Sequence, residues 1–260
     1  MNRVINMNVE NCVLLFKANR KKEKYCRDKS YEICRGIFIK NLKYKNDSQK
    51  VDEMALHLFA YLANWGMLRN SFLLYKNYKC LIPIVKEIYN HSNLLNWEPT
   101  EKEDETTFDE IMTLRDSIRK SFYDDEKEYH KETVSYKLDG FEQKVFELEL
   151  EEKEISVTDT LVSKIMLGTL GCVPAYDTYF VRALKAYNIP QSFNKDSLKT
   201  IISNSFSVWN DDCKKITNSI DDSDGLYTKM RIVDMYLWWT GFVLVGEEKS
   251  KKNPEIDKEK

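Results

Sequence analysis

Apolar positions along this 260-residue chain recur mostly at three- and four-residue spacing, the period of a helix that buries one face. Val9, Cys12, Val13 and Phe16 make the first such stripe, in a segment of about 3 to 27 that closes in the basic run KANRKKEKYCR. That run reads as a solvated helix end rather than a nucleic-acid arm. A second stripe, Ile33, Ile37 and Phe38, follows Ser30, a capping residue type, and stops at KNDSQK. Residues 52–69 are apolar nearly all round, which predicts a central buried helix. After a loop or short helical turn, a helix over about 81–91 tolerates Pro83 in its first turn.

An acidic loop at 98–105 precedes a helix capped by Thr107, with Ile111, Leu114, Ile118 and Phe122 on one face. Between 124 and 156 the pattern is ambiguous. Asp139-Gly140 separates partly alternating segments and admits a small β-hairpin near 134–150, whereas FELELEEKE equally suits a charged helix. Helical pattern returns at 158–168, 175–187 and 226–245, and in a helix opened by Asp196 or Ser197 that carries Leu198, Ile201 and Ile202. A polar connection at 211–225 is at least partly helical, and 247–260 is a charged tail expected to fray. The prediction is a mainly α fold: one compact multi-helix domain over 1–246, or two helical lobes, 1–125 and 157–246, meeting near 168–182.

Composition agrees. Only eight glycines and five prolines leave few turns per residue, and 42% hydrophobic with 32% charged residues is a globular balance. Forty basic against 42 acidic residues exclude a basic field over the whole molecule, though not a local patch. Six cysteines form no C-x-x-C pair and three histidines are scattered, so neither a metal site nor a cofactor is predicted. The opening residues lack the apolar core of a signal peptide, and the densest apolar run, Met54–Leu68, is too short to span a bilayer. A cytoplasmic protein with reduced thiols and no membrane partner is expected.

Candidate chemistry concentrates in GTLGCVPAYDTYFVR, residues 168–182, where two glycines and a proline precede Asp177. Asp177 falls at the start of the helix that follows, where free backbone N–H groups and the dipole favour a negative charge. It is either a helix cap or a carboxylate that orients water or stabilises developing positive charge. Arg69, just past the central helix, suits a phosphate or a structural pair with Asp177 or Asp234. Asp234, inside IVDMYLWW, is either half of a core ion pair or the second acid of a site. Trp65, Trp238, Trp239, Tyr176 and Tyr179 suit either the core or a pocket that stacks a planar ligand. Cys172 has no histidine near it in sequence and reads as a small packed thiol.

GTLGCVPAYDTYFVRALKAYNI resembles the turn-plus-helix segment of the helix-hairpin-helix DNA glycosylase superfamily, which carries a P-x-D or P-x-x-D turn. On that resemblance Val173, Pro174 and Asp177 match the catalytic-aspartate turn, and Arg182 lies in the helix after it. Gly168 and Gly171 are spaced more widely than the Gly-apolar-Gly hairpin of that superfamily. If Gly171 marks the hairpin, Asp177 is not the catalytic aspartate. Lys164 lies on the preceding helix rather than in the hairpin that holds the lysine nucleophile of bifunctional members, and an iron–sulfur ligand set is missing. The wider text, LFAYLANWGMLRNSFLL and TDTLVSKIMLGTLGCVPAYDTYF, resembles a bacterial helical family of no assigned function.

Two functional classes follow. In the first, a nucleic-acid-associated protein of divergent glycosylase type, Asp177 is the catalytic acid. Arg69, Arg182 and Lys164 are then its phosphate contacts, and Trp65, Tyr176 and Trp239 its pocket walls. In the second, a non-enzymatic helical module binds a protein partner and the glycine-proline motif is a packing corner.

Overall fold

The structure, a computed structural model, describes residues 8–23, 25–44, 47–69, 71–101, 105–129, 155–222 and 224–252. The hairpin expected at 134–150 lies outside them, as do residues 253–260 of the expected tail. Among the described residues there are ten α-helices and no strand. They are α1 (Val9–Lys22), α2 (Lys29–Asn41), α3 (Ser48–Asn64), α4 (Ile82–Asn90), α5 (Glu105–Tyr129), α6 (Asp159–Thr169), α7 (Thr178–Ala186), α8 (Lys195–Phe206), α9 (Asn210–Ser219) and α10 (Lys229–Lys252). Short 3₁₀ turns at Phe72–Tyr75 and Tyr78–Leu81 join α3 to α4.

The helix starts follow local chemistry. Asp47 caps α3 by accepting from Gln49 and Lys50, Thr158 caps α6 by accepting from Leu161, and Asn194 caps α8 by accepting from Ser197. Asn194 therefore takes the capping role expected of Asp196 or Ser197. Ser30 is not a cap either: α2 begins at Lys29, and the Ser30 hydroxyl instead accepts from the indole of Trp65 at 3.1 Å. Nor does Thr107 cap, because α5 has already begun at Glu105. The central helix ends at Asn64, earlier than expected, where Gly66 at φ 77° turns the chain.

One hydrophobic core runs through the molecule, from Val9 on α1 to Leu237 on α10. Helix α6 is buried along its whole length from Leu161 to Thr169, and packs on α2, α3 and α5. Helix α7 lies against α10, the most extensive helix–helix contact among the described residues. That crossing is close because Gly241 has no side chain; a Cβ there would overlap the carbonyl of Tyr179. Among the described residues no helix is long and apolar enough to cross a membrane.

The crossing makes a direct test. Gly241→Ala should destabilise the protein by about 2 kcal/mol or more, because backbone must move to admit the methyl group. Gly246→Ala, on the same helix but with nothing within 4 Å of its Cβ position, should instead gain roughly 0.5–1 kcal/mol. Urea unfolding of both variants checks the contrast.

Candidate functional site

The GTLGCVPAYD stretch is a buried joint between α6 and α7. Gly171, at φ 65°, ends α6 by donating its N–H to the Met166 carbonyl at 2.9 Å. Residues 171–176 are all buried, so their backbone groups need partners from inside the protein. Side chains of α6 and of the start of α10 supply several of them. Thr228 donates its hydroxyl to the Gly171 carbonyl at 2.7 Å, and Asp234 accepts from the Ala175 N–H at 2.9 Å. Ser163 accepts from the Tyr176 N–H at 2.8 Å, while Thr160 donates to the Tyr176 carbonyl at 2.7 Å. Pro174 brings no N–H to satisfy. The chain then leaves the joint at Asp177, whose Oδ1 accepts from the N–H groups of Tyr179 and Phe180 at 3.1 Å each. Asp177 is the N-cap of α7.

Its other oxygen faces a cavity of about 380 Å³ bounded by α1, the turn before α2, the end of α3, α6, the joint and α10. Asp177 Oδ2 lies 3.7 Å from Lys164 Nζ, which also donates to the Trp65 carbonyl at 3.4 Å. Arg231 and Asp234, one turn apart on α10, form a second pair at 2.5 Å. Three cations surround the Trp65 ring: Arg27 at 4.8 Å from its centroid, Lys164 at 5.4 Å and Arg231 at 5.8 Å. The rest of the wall is apolar and aromatic, with Leu15 and Phe16 from α1 and Trp238, Trp239 and Phe242 from α10. Trp238 and Phe242 stack nearly parallel at 5.5 Å, and Phe16 meets Trp239 edge-on at 6.3 Å.

Burial sets the electrostatics. It lowers the Lys164 pKa, against the raising influence of Asp177 and Asp234. It also pushes Asp234 up to about 6, ahead of the lowering effect of Arg231, and the Asp177 charge nearby adds to the rise. Two cation–carboxylate pairs thus share one pocket floor, and burial holds one of its carboxyls above the ordinary carboxylate range.

Of the residues singled out in sequence, the structure gathers Asp177, Lys164, Asp234, Trp65, Trp238 and Trp239 around this cavity. The others, Tyr179 among them, do not line it. Tyr176 is no pocket wall but core: its ring stacks on Phe193 at 4.9 Å and its hydroxyl meets Ser197 at 3.0 Å. Both its backbone groups are held against α6, which turns the ring away from the cavity. Arg69 is exposed on the turn that Gly66 makes, does not line the cavity, and pairs with neither aspartate, because Lys164 and Arg231 face them. Arg182 pairs with Glu248 along the α7–α10 face, also off the cavity. Cys172 is a buried thiol, pushed up to about 12 by burial. Sequence reasoning missed Arg27, Asp28 and Arg231. For Arg231 the signal was present, since RIVD places an opposite charge three residues from Asp234 on one helix face.

Compared with protein-family models, curated proteins and solved structures, the chain matches none.

Two outcomes test the floor. Asp177→Ala should lose about 1 kcal/mol of stability as a cap, whereas Asp177→Asn should keep most of it. In both variants the Lys164 ammonium, stripped of its facing carboxylate, should titrate lower than in the wild type, as read by NMR of isotopically labelled lysine. The second outcome concerns Asp234. Because its folded pKa lies above the ordinary 3.8, the folded state holds that proton more tightly than the unfolded state. Its contribution to stability is therefore lost as pH rises from about 4 to about 6. Urea midpoints across that window should fall for the wild type relative to Asp234→Asn.

Proposed function

We propose that the protein binds nucleic acid and takes one unstacked base into the aromatic cavity, in the manner of a divergent base-excision site. The observation that carries this reading is the cavity itself. About 380 Å³ walled by indole and phenyl rings, with a few charged groups converging at one end, matches the general make-up of a site for a planar heterocycle. Enzymes that act on a base draw it out of the stack and hold it between aromatic and apolar side chains while polar groups read its edge.

The surroundings support the same assignment. Asn19 lines the cavity, and two and three residues further along α1 stand Lys21 and Lys22, both exposed, with Lys17 also exposed on this helix. This is the local basic patch that near-balanced total charge leaves open, and it supplies the phosphate contacts that Arg69 and Arg182 are not placed to make at this cavity. Leu15 and Phe242 line the cavity yet are 64% and 53% exposed, an apolar lip suited to neighbouring bases. In this reading Asp177 is the carboxylate that meets the bound base, its Oδ2 being the oxygen not taken up by the cap of α7.

Single-stranded oligonucleotide titrations at two salt concentrations test the proposal. Wild-type affinity should fall steeply with salt, and a Lys21→Ala/Lys22→Ala variant should show a slope reduced by about one to two. Trp65→Leu should weaken binding by about 1–3 kcal/mol while leaving the slope unchanged. Absent or salt-independent binding would reject this function and favour the non-enzymatic protein-interaction module.

A further inference from the structure

Among the described residues the ionisable groups that line the cavity balance: Arg27, Lys164 and Arg231 against Asp28, Asp177 and Asp234. A floor of zero formal charge offers no net attraction to a phosphate, and an ion brought into it would have to be desolvated without a counter-charge. The cavity suits a neutral ligand group, with any phosphates left outside at the basic end of α1.

Within the floor, Lys164 is under-used. The residue is 5% exposed, and its ammonium carries three N–H donors. Its contacts are the Trp65 carbonyl at 3.4 Å and the Asp177 carboxylate at 3.7 Å. Charge-assisted N–H···O bonds run at about 2.7–2.9 Å, so both are long, and the ammonium keeps donor capacity at a wall of the cavity. Asp177 is divided: Oδ1 is engaged by two backbone N–H groups, and Oδ2 faces Lys164. A donor and an acceptor thus stand side by side, both nearly buried, beneath aromatic walls.

We infer that Lys164 and Asp177 together read the lactam edge of a neutral heterocycle. The ring carbonyl accepts from the Lys164 ammonium and the adjacent ring N–H donates to Asp177 Oδ2. This deepens the base-binding proposal above and rests on it. It makes the site selective for keto bases (guanine, hypoxanthine, uracil, thymine) over the amino bases adenine and cytosine. The amino bases also offer a donor beside an acceptor. In both, however, the acceptor directly beside that donor is a single in-plane ring nitrogen, whereas the lactam carbonyl oxygen presents two lone pairs to the ammonium. Discrimination follows because a buried ammonium left poorly paired by the wrong edge is costly.

Calorimetric titration with inosine, uridine, adenosine and cytidine, all neutral and free of phosphate, tests this directly. The wild type should bind inosine and uridine about tenfold or more tighter than adenosine and cytidine. Lys164→Met, which keeps the length of the side chain but not its donors, should bring the four affinities to within about twofold of one another. Asp177→Asn retains the helix cap and keeps the question answerable if the lysine variant fails to fold. It should weaken inosine more than adenosine. Equal binding of all four nucleosides by the wild type, or a preference for adenosine, would overturn the lactam assignment while leaving a base-binding cavity in place. No nucleoside binding, with oligonucleotide binding unaffected by Trp65→Leu, would overturn both.

Discussion

A carboxylate sunk to 3% exposure needs partners on every side, and much of this fold is arranged around giving them to Asp234. Arg231 supplies an opposite charge one turn away on the same helix, and the Ala175 N–H supplies a hydrogen bond from the joint between α6 and α7. That second bond ties α10 to a loop that would otherwise bury its backbone unpaired. Thr228, at the start of α10, secures the same loop through the Gly171 carbonyl. Once the loop is held there, α7 must begin at Asp177, and its cap determines that one carboxylate oxygen is spent on the helix and the other is left for the cavity.

The cavity is then a by-product of how the helices meet around this joint. Burial of α6 along its whole length carries Lys164 inward with it, so a lysine that would ordinarily reach water ends beneath the Trp65 carbonyl. Helix α1 closes the opposite side with few fully buried residues of its own, Val9 and Val13. It is held near its end by a polar cluster in which Arg20 pairs with Glu32, and the Tyr227 hydroxyl donates to Glu32 at 2.6 Å. Charge neutrality at the floor and aromatic walls above it follow from the same arrangement. That combination makes the pocket better suited to a flat, uncharged polar ring than to an anion.

Much of the fold was legible residue by residue. Apolar spacing marked the helices, but the central helix, apolar nearly all round in sequence, buries only one face and leaves Leu56 exposed, whereas the helix buried from Leu161 to Thr169 is α6. Thr158 and Asp177 stand where capping chemistry would put them, because a side-chain oxygen at a helix start satisfies N–H groups that only local geometry exposes. The starts that were misplaced, at Ser30, Thr107 and Asp196 or Ser197, are those where several capping residues or acids lie within a few positions and the pattern alone does not choose. Ser30 was claimed by a long-range partner, the Trp65 indole, which no local reading anticipates.

The candidate site divides the same way. Sequence alone determined that a glycine-proline break precedes a capping aspartate, that an acid and a base sit three residues apart in an apolar helix, and that tryptophans are at hand for a wall. These are properties of spacing within one segment. Which of those groups meet was decided only in three dimensions. Lys164 joins Asp177 although they belong to different helices. Tyr176, next to Asp177 in the chain, points into the core because both its peptide groups are bound to α6. Arg69 is carried to the surface by a left-handed glycine turn. The physical reason is that backbone hydrogen bonding at the joint fixes the direction of each neighbouring side chain, and the partners in that bonding come from residues far away in sequence.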